Sequence, residues 1–127
     1  MEERRPGYGP AVPLPELVRR SVERRLTQFC RDRIPAEHRA EIRLEYELRG
    51  NSITLFECRP PWRPDFGPGW TRMKIAQLRF EPNGKTWALH WADRNERWHL
   101  YDDVDPALSV DPLLIEIDED PTGIFWG

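Results

Sequence analysis

The sequence predicts a single α+β domain. It has an antiparallel sheet of about five strands, a hairpin plus a three-stranded meander, with one helix before it and a short helix after it. Three observations carry this reading. Apolar residues recur at three- and four-residue spacing between Pro15 and Ile34, alternate with charged residues from Glu41 to Arg49, and fall in short runs between turn residues from Met73 to Tyr101. The chain has 127 residues, 39% apolar and 32% charged. That suffices for one core and no second domain. Six Trp, five Phe and three Tyr spread along it argue against disorder.

Residues 1–13 are rich in Pro and Gly and lack periodicity, so they read as a flexible leader to a domain spanning 14–127. A helix is expected from Pro15, with Glu16 beside the positive end of its dipole. Its apolar stripe is Leu17, Val18, Val22, Leu26, Phe29 and Cys30, and it stops before Pro35 because a residue preceding proline is pushed out of helical geometry. Ile42, Leu44, Tyr46 and Leu48 then alternate with charges, and Gly50-Asn51 supplies a two-residue turn. That turn sets Leu48 opposite Ile53, Tyr46 opposite Leu55 and Leu44 opposite Glu57, so both strands bury one face.

Residues 59–70 hold four prolines and cannot form a central strand; they read as a long loop bearing Trp62, Phe66 and Trp70. The meander follows, with strands over Met73 to Glu81, Lys85 to Ala92 and Arg97 to Tyr101. Pro82-Asn83-Gly84 makes the first turn, Gly84 taking positive φ, and Asp93 to Glu96 the second. Asp111 is expected to cap a helix beginning at Pro112 and ending before Pro121, with Leu113, Leu114 and Ile117 inward. The ending, Ile124-Phe125-Trp126, is apolar enough to pack onto the sheet, although Asp118-Glu119-Asp120 beside it also suits an acidic-aromatic docking tail.

Four segments resemble the bacterial domain-of-unknown-function-3024 family. They are Gly50-Asn51-Ser52-Ile53-Thr54-Leu55; Arg59-Pro60-Pro61-Trp62; Trp91-Ala92-Asp93-Arg94-Asn95 with Trp98-His99-Leu100-Tyr101-Asp102; and Ile117 through Gly127. The similarity covers about residues 41–127, and the ending is its most specific part. It implies a single bacterial domain and carries no activity, cofactor or partner with it.

Net charge is −3, distributed unevenly. Residues 1–40 hold nine Arg against six acids, and residues 104–127 hold six acids and no base, so head and tail are expected to attract each other within the fold. No run approaches the roughly 20 apolar residues of a membrane-spanning helix, and the N-terminus lacks the apolar stretch of a secretory signal. The expected location is therefore the cytoplasm, with no membrane partner. Cys30 and Cys58 stand far apart without C-x-x-C spacing and read as two buried thiols. No phosphate loop, nucleophile elbow, H-E-x-x-H or calcium loop is present, and no cofactor is implied.

Catalytic candidates are Glu57, His90, His99 and Asp102. A four-residue turn at Asp93–Glu96 sets His90 opposite His99, Cβ atoms about 5 Å apart, where two imidazoles share a proton or a metal with Glu57 or Asp102 as a third ligand. The plainer reading makes both histidines polar members of a sheet face. Glu57, on the apolar face, either has its pKa raised for acid catalysis or pairs with Arg59, Arg63 or Arg72. Binding candidates are Arg59, Trp62, Arg63, Trp70, Arg94 and Tyr101. Together they suggest a small binding module whose contact surface is the 59–70 loop beside the His90/His99 strands, its partner another protein. The alternatives are an enzyme or metal protein using His90, His99 and Glu57, and a single-stranded nucleic-acid binder stacking bases on the aromatic set Trp62, Phe66, Trp70, Trp87, Trp91, Trp98 and Tyr101. Either outer strand offers an edge for a homodimer.

Overall fold

Residues 13–61 and 69–126 are described by a computed structural model, so the expected leader, apart from Pro13, and Trp62, Arg63 and Phe66 lie outside the described residues. The first helix, α1 (Glu16–Arg33), starts behind Pro15 and gives way to extended backbone at Ile34, the residue before Pro35. Val22 and Leu26 are buried, with Val18, Phe29 and Cys30 packed beside them. Leu17 does not join the stripe and is 78% exposed. At about 100° per residue it stands about 140° round the helix from Val22, away from the sheet.

After a short 3-10 turn at Ala36–His38, the chain forms β1 (Arg43–Arg49), β2 (Ser52–Arg59), β3 (Thr71–Glu81), β4 (Thr86–Ala92) and β5 (Trp98–Leu100). They make one antiparallel sheet in sequential order. The first hairpin has the expected register, Leu44↔Glu57, Tyr46↔Leu55 and Leu48↔Ile53. Gly50 takes the positive φ (60°) its tight turn requires. Asn51 then anchors that turn to the neighbouring strand, its Nδ2 donating to the Phe80 carbonyl at 2.9 Å. In the β3–β4 connection the left-handed residue is Lys85 (φ 54°), one position beyond the expected Gly84.

One irregularity shapes the rest of the molecule. Leu55 pairs with Ala76 but Phe56 pairs with Lys74, so Ile75 is an extra residue in β3. A second follows from strand length. The β3–β4 ladder ends at Ala76↔Trp91, while β3 runs back to Thr71 against β2. Thr71–Ile75 therefore extends past the point where β4 leaves the sheet.

One sheet face carries the core, with Leu44, Ile53, Leu55, Leu78, Phe80, Trp87 and Leu89 packing against α1 and against α2 (Asp111–Glu119). Asp111 does not cap α2. Val110 holds the N-cap position with no side-chain bond, and Asp111 instead accepts from Arg25 Nε at 2.6 Å. Arg33 reaches Asp118 at 2.9 Å, so the basic head and acidic tail do meet inside the fold. The tail packs. Asp120 ends α2 in left-handed geometry (φ 44°), and its carboxylate accepts the backbone N–H groups of Phe125 and Trp126 at 3.1 and 2.9 Å. Trp126 donates its indole N–H to the Ile117 carbonyl at 2.6 Å. On the other sheet face Phe56 and Cys58 are buried apart from the core cluster, the Arg72 guanidinium standing 3.9 Å over the Phe56 ring.

Candidate functional site

Where β4 leaves the sheet, a cleft of about 740 Å³ opens. Four pieces of chain build it: the end of β2 (Glu57, Arg59), the start of β3 (Arg72 to Ile75), the β4–β5 connection (Asp93, Arg94, Glu96) and the packed tail (Ile124 to Trp126). The unequal strand lengths make the hollow, and the Asp120-held tail walls it. Its lining is mixed. Met73 is 56% exposed there and Ile124 is also exposed, while Ile75 and Phe125 are buried beneath.

Most of its charges are partnered. Glu57 lies on the core side as its register requires, 12% exposed, and accepts from Arg59 Nε at 3.0 Å. That pair is the structural reading of Glu57, and it keeps the carboxylate satisfied. Lys74 stands 3.8 Å from Glu96, and Arg72 stands 3.8 and 3.9 Å from Glu45 and Glu47. These are long pairs with solvent-reaching carboxylates and of small energetic weight. Arg94 is exposed and has no partner among the described residues. The cleft thus presents apolar surface beside one uncommitted cation and two loosely held ones.

At the rim, Asp93 organises the β4–β5 connection. One carboxylate oxygen accepts the N–H groups of Asn95 (2.8 Å) and Arg97 (3.0 Å), and the other lies 2.8 Å from His99 Nε2. The His99 contact first, then the Arg97 N–H, holds the Asp93 carboxyl down at about 2. The His99 ring stacks on Trp91 at 4.7 Å.

This connection overturns the expected histidine pair. It has five residues, Asp93 to Arg97, not four, and Glu96 adopts positive φ (62°). The register is accordingly Trp91↔His99 and His90↔Leu100. Side chains alternate across a sheet, so the two imidazoles lie on opposite faces and share no site. His90 sits half-buried on the outer face, its Nδ1 without a hydrogen-bond partner among the described residues. Burial first, then the Arg79 charge, lowers its pKa from 6.5 to about 4.

A test follows for His90. The unfolded chain takes up a proton near pH 6.5 that the folded chain refuses until about 4, so stability is full above 6.5 and falls as pH drops through that window. The loss amounts to about 1–2 kcal/mol, below the value for full burial because the ring keeps part of its surface in water. His90→Gln should flatten that segment of a urea-denaturation profile taken between pH 7 and 4; an unchanged slope refutes the assignment.

Other candidates are dispersed. Tyr101 is buried, not a contact residue; its hydroxyl donates to Glu116 at 2.7 Å and its ring packs on Phe125 at 5.0 Å. Strand β5 ends at Leu100, and the next residue drops into the core with the side-chain alternation that follows from His99. Asp102 lies in an exposed turn and does not line the cleft. Trp70 is half-buried under the Arg43 guanidinium at 3.8 Å, outside the cleft lining, and Trp62 and Arg63 lie outside the described residues. Of the expected aromatic set, Trp87 and Tyr101 are in the core, Trp70 and Trp98 each lie beside a cation of the chain itself, and Trp62 and Phe66 lie outside the described residues. Both thiols are pushed up by burial first, Cys30 to about 12. Among the described residues no group of three His, Cys, Asp or Glu is placed to hold a metal ion, and no helix is long and apolar enough to cross a membrane.

Of the expected site residues, then, the cleft gathers Glu57, Arg59 and Arg94. Sequence reading missed Met73, Lys74, Glu96 and Ile124. A Met beginning a strand before a Lys carries no distinctive mark; the Asp93-Arg94-Asn95 run, whose aspartate suits a side-chain-closed turn, was the available signal. Over residues 14–127 the chain matches the family described as "Domain of unknown function (DUF3024)". No curated protein and no solved structure matches it.

Proposed function

The chain belongs to the DUF3024 family over residues 14–127, and from that premise we propose that it is a small binding module that holds a segment of another protein in the cleft between β3 and the β4–β5 connection. One observation carries the reading: Met73, Ile124 and the uncommitted Arg94 line a single hollow. Exposed apolar side chains gathered in one concavity beside an unpaired cation are a recognised form of contact site. The contact surface thereby moves from the loop and histidine strands expected at first to the start of β3. Support for catalysis is weaker, because His90 and His99 face opposite sides and Glu57 is occupied by Arg59.

Selection of displayed peptides on the full chain tests this. Peptides that combine an acidic residue with aliphatic ones should be enriched. Arg94→Glu and Met73→Asp should each weaken the selected peptides at least tenfold, since one reverses the charge and the other wets the apolar wall. Both side chains are exposed, so melting temperature should hold within a few degrees. Selected peptides that bind both variants as well as the parent would remove the cleft from consideration.

A further inference from the structure

The cleft has a backbone as well as side chains. β3 pairs with β2 from Thr71 onward, but pairs with β4 only from Ala76 onward. Among the described residues no strand lies against Thr71–Ile75 on the β4 side, and that side faces the cleft. In an antiparallel strand the N–H and C=O groups of successive residues point alternately to either neighbour. Part of the backbone of Thr71–Ile75 thus offers its hydrogen bonds into the hollow. Five residues of extended chain span about 16 Å, enough to receive four or five residues of a partner.

The two faces of this edge differ in chemistry. Met73 pairs with Glu57 and shares the core side, where Ile124 and Trp126 wall the cleft. Arg72 and Lys74 stand on the opposite face, opposite Cys58 and Phe56. A strand laid beside β3 continues the same alternation, so its side chains meet apolar surface on one face and two cations on the other. Arg94, across the cleft, adds a third cation. The ion pairs already made there by Arg72 and Lys74 are long, and their carboxylates on Glu45, Glu47 and Glu96 reach solvent, so a cross-strand carboxylate exchanges with them at small cost.

We propose that the free edge of β3, Thr71–Ile75, takes up an extended segment of a partner protein as an added strand, apolar residues beside Met73 alternating with acidic residues beside Arg72 and Lys74. This deepens the binding-module reading and rests on it. Main-chain bonds then supply much of the affinity, and the alternating side chains supply selectivity.

The probe is a capped heptapeptide alternating valine and glutamate, titrated into the full chain and followed by amide resonances. Binding should shift the amides of Thr71–Ile75 and slow hydrogen exchange at alternate positions among them. N-methylation of the peptide, one position at a time, should alternate in effect: at least tenfold weaker at every second residue, near neutral between. A peptide of the same composition with valines and glutamates in two blocks should bind at least tenfold more weakly. Binding without that alternation overturns strand addition and leaves the cleft reading standing. Failure of this peptide to bind, while displayed peptides of other patterns bind the cleft, likewise overturns it. Failure of every peptide removes both.

Discussion

Replacing Leu113 with alanine is expected to lower the free energy of unfolding by about 2–5 kcal/mol, the range for truncating a fully buried leucine. Leu113 is 0% exposed and stands on α2 with Leu114 and Ile117, the three residues that seat this short helix on the core. Nine residues make a helix too short to persist alone, so its stability is tertiary. Deleting the Cγ and its two methyl groups removes their transfer energy and leaves a cavity that packed neighbours fill only in part. The midpoint of thermal unfolding should drop by roughly 10 °C or more. Leu108→Ala is the control: at 79% exposure it should change stability by no more than about 0.5 kcal/mol. Equal effects from the two substitutions would contradict the placement of α2.

Asp120→Ala is expected to cost about 2–4 kcal/mol and to open one wall of the cleft. The carboxylate accepts two backbone N–H groups, from Phe125 and Trp126, and a donor left unsatisfied costs about 1–3 kcal/mol. Position 120 is also left-handed (φ 44°), where alanine is disfavoured by about 1 kcal/mol relative to aspartate, asparagine or glycine. The series separates the two contributions. Asp120→Asn should be mildest, since it tolerates the backbone and keeps one acceptor; Asp120→Gly intermediate; Asp120→Ala worst. Tryptophan fluorescence gives a second readout, because Trp126 is held by its indole bond to Ile117 and by the Arg33 cation 4.7 Å from its ring. An Asp120→Ala protein with unchanged stability and emission would show that the tail is seated by its apolar contacts alone.

Fold and site were legible to different depths. Helix α1, the register of the first hairpin and the packed ending all follow from local pattern: a 3.6-residue period, a two-residue period with a two-residue turn, and apolar residues too numerous to leave in water. Glu57 on the core side follows from the same register. The histidine pairing does not. It depends on whether the β4–β5 turn has an even or odd number of residues, and the extra residue, Arg97, follows the left-handed Glu96 and donates its N–H to the Asp93 carboxylate. One residue more or fewer sends every following side chain to the other face.

Alternation and periodicity are properties of neighbouring residues, and they established by themselves an α+β domain with five antiparallel strands between two helices. The offset of one strand against the next is not local. It arises where Ile75 bulges and where β4 turns away at Ala92, and both are properties of how one strand pairs with another and not of adjacent residues. Only the tertiary structure therefore decided that β3 outruns its neighbour, that the tail closes beside it, and that Met73, Arg94 and Glu57 meet in one hollow.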